Sequence, residues 1–232
     1  MAIRLPRVNP TSAATMSEGH TLPRPLRWAL GICVVIAVAV VVRRVIALAY
    51  PAHSGPPQLL ALDALFASHA ALTLVHILPA LFFVLLCPVA VFRVPGTKPW
   101  LEKLFFPLGG IVGVTAYMMS IYAVGGWTER SAVLFFNSLF LFSMAGAYLA
   151  WKRGDVLLEH RWTLRAVAIL FGIATTRPVM GFFFATSRLT HLEPQQFFGI
   201  AFWAGFSINT LAIELWLRHT GRMIAAPKHR LN

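Results

Sequence analysis

The residues that could do chemistry in this chain are the few ionisable side chains that interrupt its apolar runs. Such a group costs about 2.5–3.5 kcal/mol or more at the centre of a membrane helix, so each is first a functional candidate. His76 and Arg177 are the deepest. At about 1.5 Å per residue from the ends of their runs, His76 lies roughly 12–15 Å and Arg177 roughly 13 Å below the same surface. Arg43 and Arg44 are shallower, at roughly 8–9 Å. His69 stands seven residues before His76, which places the two on one helical face. Together with Asn137, these residues define a candidate outer-half pocket: Arg43, Arg44, His69, His76, Asn137 and Arg177. Its chemistry would be the capture of an anionic or carbonyl oxygen by guanidinium donors beside an imidazole. Arg43 and Arg44 could equally snorkel to the interface. Arg177 is too deep for that, and its neighbouring spans carry no Asp or Glu. Its expected acceptors are Asn137, backbone carbonyls or a ligand oxygen.

A second polar set gathers at the opposite surface. Asp155, Glu159, His160, Arg161, Trp162 and Arg165 surround the start of the fifth run, and Glu214 sits one turn from the end of the sixth. Glu214 is the candidate partner of Arg161 or Arg165, an anchor that is costly to break where it is buried. Asn209, deeper on the sixth run, can bond across helices.

Six apolar runs carry these groups, over roughly 28–49, 66–92, 104–124, 132–151, 164–186 and 196–217. Each has about 20 residues or more, enough to cross about 30 Å of hydrocarbon as a helix. The reading is an all-α integral membrane bundle of six transmembrane helices. A chain that is 58% hydrophobic and 12% charged, with mean hydropathy +0.70, has too little polar surface for an ordinary soluble domain.

Fifteen of the twenty basic residues fall in the N-terminal arm, alternate connections and the C-terminal end, while the other connections hold only Arg130 and Arg188. The positive-inside rule then predicts cytoplasmic N- and C-termini and a bacterial inner-membrane location. The formal charge of +12 follows from that topology and points to anionic lipid, not nucleic acid. Protein partners stay open.

Residues 1–25 read as a mobile cytoplasmic arm, with Met16 an alternative start, 26–218 as the transmembrane domain and 219–232 as a basic tail. Arg43-Arg44 inside the first run argues for a retained helix over a cleaved leader. Tyr50 to Pro57 reads as an outer loop. Pro79, Pro88, Pro107 and Pro178 fall inside or near the start of spans and free backbone carbonyls. Gly109 and Gly113 form a close-packing G-x-x-x-G pair. Cys33 and Cys87 read as inert thiols. Zinc-hydrolase, dithiol, nucleophile-elbow and phosphate-loop motifs are all absent.

The stretch Lys152–Arg165, K-R-G-D-V-L-L-E-H-R-W-T-L-R, resembles the R-x-x-D-x-x-x-H-R-R-W-M-x-R signature of a bacterial membrane-protein family, the domain of unknown function 2306. The likeness covers roughly residues 66–218. It extends to His76, Arg177 and a closing N-x-x-x-x-E-W-x-x-R pattern at Asn209, Glu214, Trp216 and Arg218. Residues 98–103 depart from it, reading K-P-W-L-E-K without the family's histidine. Members look distantly similar to cytochrome b-type haem bundles, and that analogy implies His76 and His160 as haem ligands with Arg177 beside them. The depth count separates the two histidines by roughly 15–20 Å, which opposes one shared iron.

Three functions follow as expectations. The first is a redox membrane protein binding haem b or a quinone. The second is a binding protein or transporter for a small anionic or lipid ligand. The third is a noncatalytic accessory protein of a membrane complex.

Overall fold

Hydrocarbon offers no water to backbone N–H and C=O groups, so apolar runs of this length must close their hydrogen bonds internally. The computed structural model describes residues 22–51, 53–55, 57–92, 99–190 and 194–225, and no strand occurs among them. We number the helices α1 Arg24–Ala49, α2 Pro57–Ser68, α3 Ala70–Phe92, α4 Pro99–Met119, α5 Gly126–Lys152, α6 Val156–Leu170, α7 Gly172–Thr190 and α8 Pro194–Ala225. A 3-10 turn, Ser120–Tyr122, extends α4. The chain is an all-α bundle with six spans long and apolar enough to cross a membrane: α1, α3, α4 with its 3-10 turn, α5, α6 joined to α7, and α8.

The boundaries depart from the sequence reading in four places. The arm expected over 1–25 gives way to helix at Arg24, and Leu22 is buried with its carbonyl accepting from Arg27 Nε at 2.8 Å. Residues 1–21 lie outside the described residues. The Tyr50 to Pro57 loop is followed directly by α2, a helix not expected ahead of the second run at 66. Glu129 and Arg130, expected in a connection, lie in the first turns of α5. The tail expected from 219 continues α8 to Ala225, and 226–232 lie outside the described residues.

Lipid tails are as apolar as leucine, so burial does not drive these helices together; close packing of small residues does. Large side chains such as Phe142, Phe182 and Leu215 stay 65% or more exposed, as lipid-facing residues should. Inside, α5 packs on α4, α6 and α8, and α3 packs on α4. The G-x-x-x-G pair faces α5: a Cβ on Gly109 would overlap Met144, and one on Gly113 would overlap Leu141. Gly146 lies against the Trp162 ring. The fifth span breaks at Phe171, where Gly172 would bring a Cβ to 2.8 Å from Phe206 Cα. One turn further, a Cβ on Gly205 of α8 would stand 2.7 Å from the Thr176 backbone nitrogen of α7. Backbone meets backbone there. By contrast α1 buries only Ala37 and leans on α3 and α7 from the edge.

The Gly205 contact cannot yield by rotating a side chain. Gly205→Ala should therefore destabilise the bundle by about 1–3 kcal/mol, the usual cost of overpacking. Gly110→Ala, whose Cβ would meet nothing within 4 Å, should not. Thermal unfolding in detergent checks the pair of variants.

Candidate functional site

Because α1 only leans on the bundle, a cavity of about 270 Å³ remains between it and α3, α4, α5, the α6–α7 break and α8. One part is apolar, walled by Val84, Val112, Phe140, Ile169 and Phe206. The other part holds Arg44, His76, Ser120, Glu129, Asn137 and Arg177.

Each polar group in that wall has a traceable environment. Asn137 Nδ2 donates to the Gly113 carbonyl at 2.8 Å, a contact the missing Cβ of Gly113 makes room for. His76 Nδ1 lies 2.8 Å from Thr115 Oγ1. The Thr115 hydroxyl has one proton, which it donates along its own helix to the Ile111 carbonyl at 2.7 Å. The imidazole is therefore the donor at Nδ1, which leaves Nε2 as an acceptor. Arg44 Nη1 donates to Asp63 Oδ1 at 2.6 Å, and its guanidinium lies 3.8 Å from the Phe66 ring centre. Arg43 grips the same carboxylate at 3.1 and 2.8 Å. Asp63 and Phe66 both belong to α2, so that short helix clasps α1 at one end of the bundle. Glu129, 8% exposed, accepts from the Gly125 backbone N–H at 2.6 Å.

Among the residues that line the cavity Arg177 stands apart. Its Nε is enclosed without a partner, and among the described residues it makes no hydrogen bond and no ion pair within 4.0 Å. Arg130, whose Nε is likewise enclosed without a partner, lies outside the cavity over the Trp127 ring. Glu129 attracts Arg177 at longer range, while Arg43 and Arg44 repel it.

The sequence-predicted pocket is thus partly assembled. Arg44, His76, Asn137 and Arg177 share one cavity, but Arg43 and His69 do not line it. Arg43 turns to Asp63 with 43% of its side chain exposed. His69 sits in the turn between α2 and α3, where its carbonyl accepts from the Thr73 N–H at 2.9 Å, and its ring centre lies 3.7 Å from that of Tyr122. The spans next to Arg177, expected to lack Asp and Glu, carry Glu129 in the first turn of α5, which attracts Arg177 at longer range; Asp63 of α2 serves Arg43 and Arg44 instead. By hydropathy both carboxylates fall in connections, where a charge costs little, but α2 carries Asp63 and the first turn of α5 carries Glu129 to this end of the bundle. Asn137 is engaged with Gly113 and does not compensate Arg177, and no proline-freed carbonyl bonds to Arg177 either.

The opposite end holds the second polar set. Arg165 Nε pairs with Glu214 Oε1, a second contact runs from Nη2 to Oε2 at 3.4 Å, and the guanidinium lies 4.7 Å from the Trp162 ring centre. Arg161 donates to the Leu217 carbonyl at 3.4 Å, and Asp155 caps α6 by accepting from the Leu158 N–H at 3.0 Å. Glu159 is buried at 5% exposure beside His160 in the sequence. Asn209 leaves this set for the α6–α7 break, where it donates to the Ala168 carbonyl at 3.2 Å and accepts from Thr175 at 2.9 Å.

His160 does not line the cavity that His76 lines, so the two cannot face one iron there. No cluster of three or more His, Cys, Asp or Glu side chains suited to a metal ion occurs among the described residues. The donor set does not fit a bis-histidine haem. No family model matches the chain, and no curated protein or solved structure matches it either. The cavity's geometry carries the functional reading.

The clasp gives a measurable contrast. Arg44 and Asp63 keep only 12% and 14% side-chain exposure, so their double-mutant coupling should fall in the range of about 0.5–3 kcal/mol expected of contacting groups. Arg43, far more exposed, should couple to Asp63 by about 1 kcal/mol or less. Thermal unfolding of Arg44→Gln, Arg43→Gln, Asp63→Asn and the two double variants measures both terms.

Proposed function

We propose that this multi-pass membrane protein binds an amphiphilic ligand inside its bundle, with a polar head beside Arg177 and an apolar body in the cavity. The carrying observation is that Arg177 lines an apolar cavity without a hydrogen bond of its own. A buried guanidinium left unsatisfied is costly, and a ligand oxygen in the cavity would remove that cost. The reading corresponds to a binding protein or carrier for a lipid-like molecule.

A quinone is the second reading, because His76 Nε2 can accept where Arg177 donates, as a quinol and its quinone require in turn. The likeness to the family with cytochrome b-type relatives favours it. The poor fit of a second histidine sets haem aside.

We also place both termini in the cytoplasm of a bacterial inner membrane, with the Asp63 clasp at the outer face. Arg24, Arg27, Lys152, Arg153 and Arg218 at the other end support this under the positive-inside rule. C-terminal reporter fusions should be active in the cytoplasm, and activity confined to the periplasm would reverse the assignment.

Native mass spectrometry of the purified protein tests the binding reading. A lipophilic adduct released by organic solvent should accompany the wild type. It should be lost from Ala116→Phe, whose ring would occupy the cavity that Ala116 lines. An adduct-free wild type that also takes up no added amphiphile would contradict the reading.

A further inference from the structure

Resting on that reading, we propose that the ligand is a monocarboxylate on a single alkyl chain, its head on Arg177 and its chain against Val84, Val112, Phe140, Ile169 and Phe206. Charge decides the head group. Three guanidiniums, Arg43, Arg44 and Arg177, face two carboxylates, Asp63 and Glu129, which leaves one positive charge (3 − 2 = 1). Asp63 is spent on both arginines of α1. Glu129 has one oxygen on the Gly125 N–H and forms no ion pair with Arg177. The excess charge therefore resides at Arg177, whose Nε has no hydrogen-bond partner and which lines the cavity; Arg130 Nε also lacks a partner, but Arg130 lies over the Trp127 ring and does not line the cavity. A neutral carbonyl would accept one hydrogen bond from Arg177 and leave the charge standing. A single carboxylate accepts two and cancels it, in the bidentate geometry that guanidinium favours.

Size decides the body. Ile169 to Arg177, and Glu129 to Phe140, both flank the cavity; at about 1.5 Å per residue they span roughly 12–16 Å along the bundle. A volume of about 270 Å³ lies at or below the small end of ligand pockets, which run from about 300 to 1,000 Å³. That suits one medium-length chain and not the paired chains of a phospholipid or the face of a macrocycle. The remaining polar wall agrees. His76 presents an acceptor at Nε2, and Ser120 Oγ donates to the Tyr117 carbonyl at 2.7 Å, so neither competes with Arg177 for the carboxylate.

The test uses full-length protein in nanodiscs with three probes: dodecanoate, dodecanol and a decyl-substituted benzoquinone. Binding is read by native mass spectrometry and by the shift in unfolding temperature, above the acid's pKa. Dodecanoate should bind about tenfold to a hundredfold more tightly than dodecanol, the range a charge-assisted hydrogen bond contributes. Arg177→Gln should bring that ratio to about one, whereas Arg177→Lys should keep most of it. The wild-type ratio needs no variant, so a misfolded Arg177→Gln leaves the proposal open to refutation. Equal binding of acid and alcohol, both displaced by Ala116→Phe, would overturn the carboxylate and leave the amphiphile cavity standing. Tighter binding of the benzoquinone than of the acid would likewise overturn it, in favour of the redox reading. Failure of all three probes to bind would overturn both the carboxylate and the cavity.

Discussion

A guanidinium keeps its proton under nearly all conditions, so one held inside a membrane bundle must be surrounded by whatever makes its charge tolerable. The Asp63 end of this protein is arranged around that constraint. Arg43 and Arg44 are answered by a short helix whose Asp63 reaches both and whose Phe66 lies under Arg44. Arg177 is answered only in part, by the longer-range attraction of Glu129. The unbalanced remainder faces a cavity, and the functional reading rests on that remainder.

The two ends of the bundle solve similar problems differently. At the Glu214 end, the pair with Arg165 closes directly, Trp162 stacks beside it and Gly146 lets α5 come close enough to hold the ring. Charges that meet at an interface this way stabilise an orientation. At the Asp63 end the peripheral packing of α1 leaves space, and the polar groups there are held by bonds to backbone or to neighbouring side chains. Asn137 depends on the bare backbone of Gly113, and His76 depends on Thr115 for its orientation. Both side chains are thereby fixed at the cavity wall instead of sampling it, the kind of preorganisation that reduces the ordering cost of binding.

The fold was largely legible in the sequence, because a run of about 20 apolar residues has one solution in hydrocarbon and hydropathy reports it directly. That Glu214 would pair with Arg161 or Arg165, and that His76 and Arg177 would line one pocket, could also be read from residue type and distance to a span end. The carboxylates could not. Asp63 and Glu129 sit where hydropathy falls off, so a boundary drawn at the first charged residue excludes them, although each lies on a helix that carries it to the site. His69 falls outside the cavity because it stands at the very start of the helix that carries His76, where its carbonyl accepts from the Thr73 N–H and its ring meets Tyr122. The break at Phe171 has no proline beside it to announce it; next to it Gly172 lies against Phe206, a contact between residues far apart in the sequence.

The central claim is that Arg177 is completed by a ligand and not by the protein. Its most direct test is an experimental structure of the protein in a lipid nanodisc, extracted without added ligand. The expected result is elongated density in the cavity, with an oxygen within about 2.7–3.2 Å of the Arg177 guanidinium, the distance of a hydrogen bond. An empty cavity in which Arg177 closes a direct ion pair with Glu129 would contradict the account.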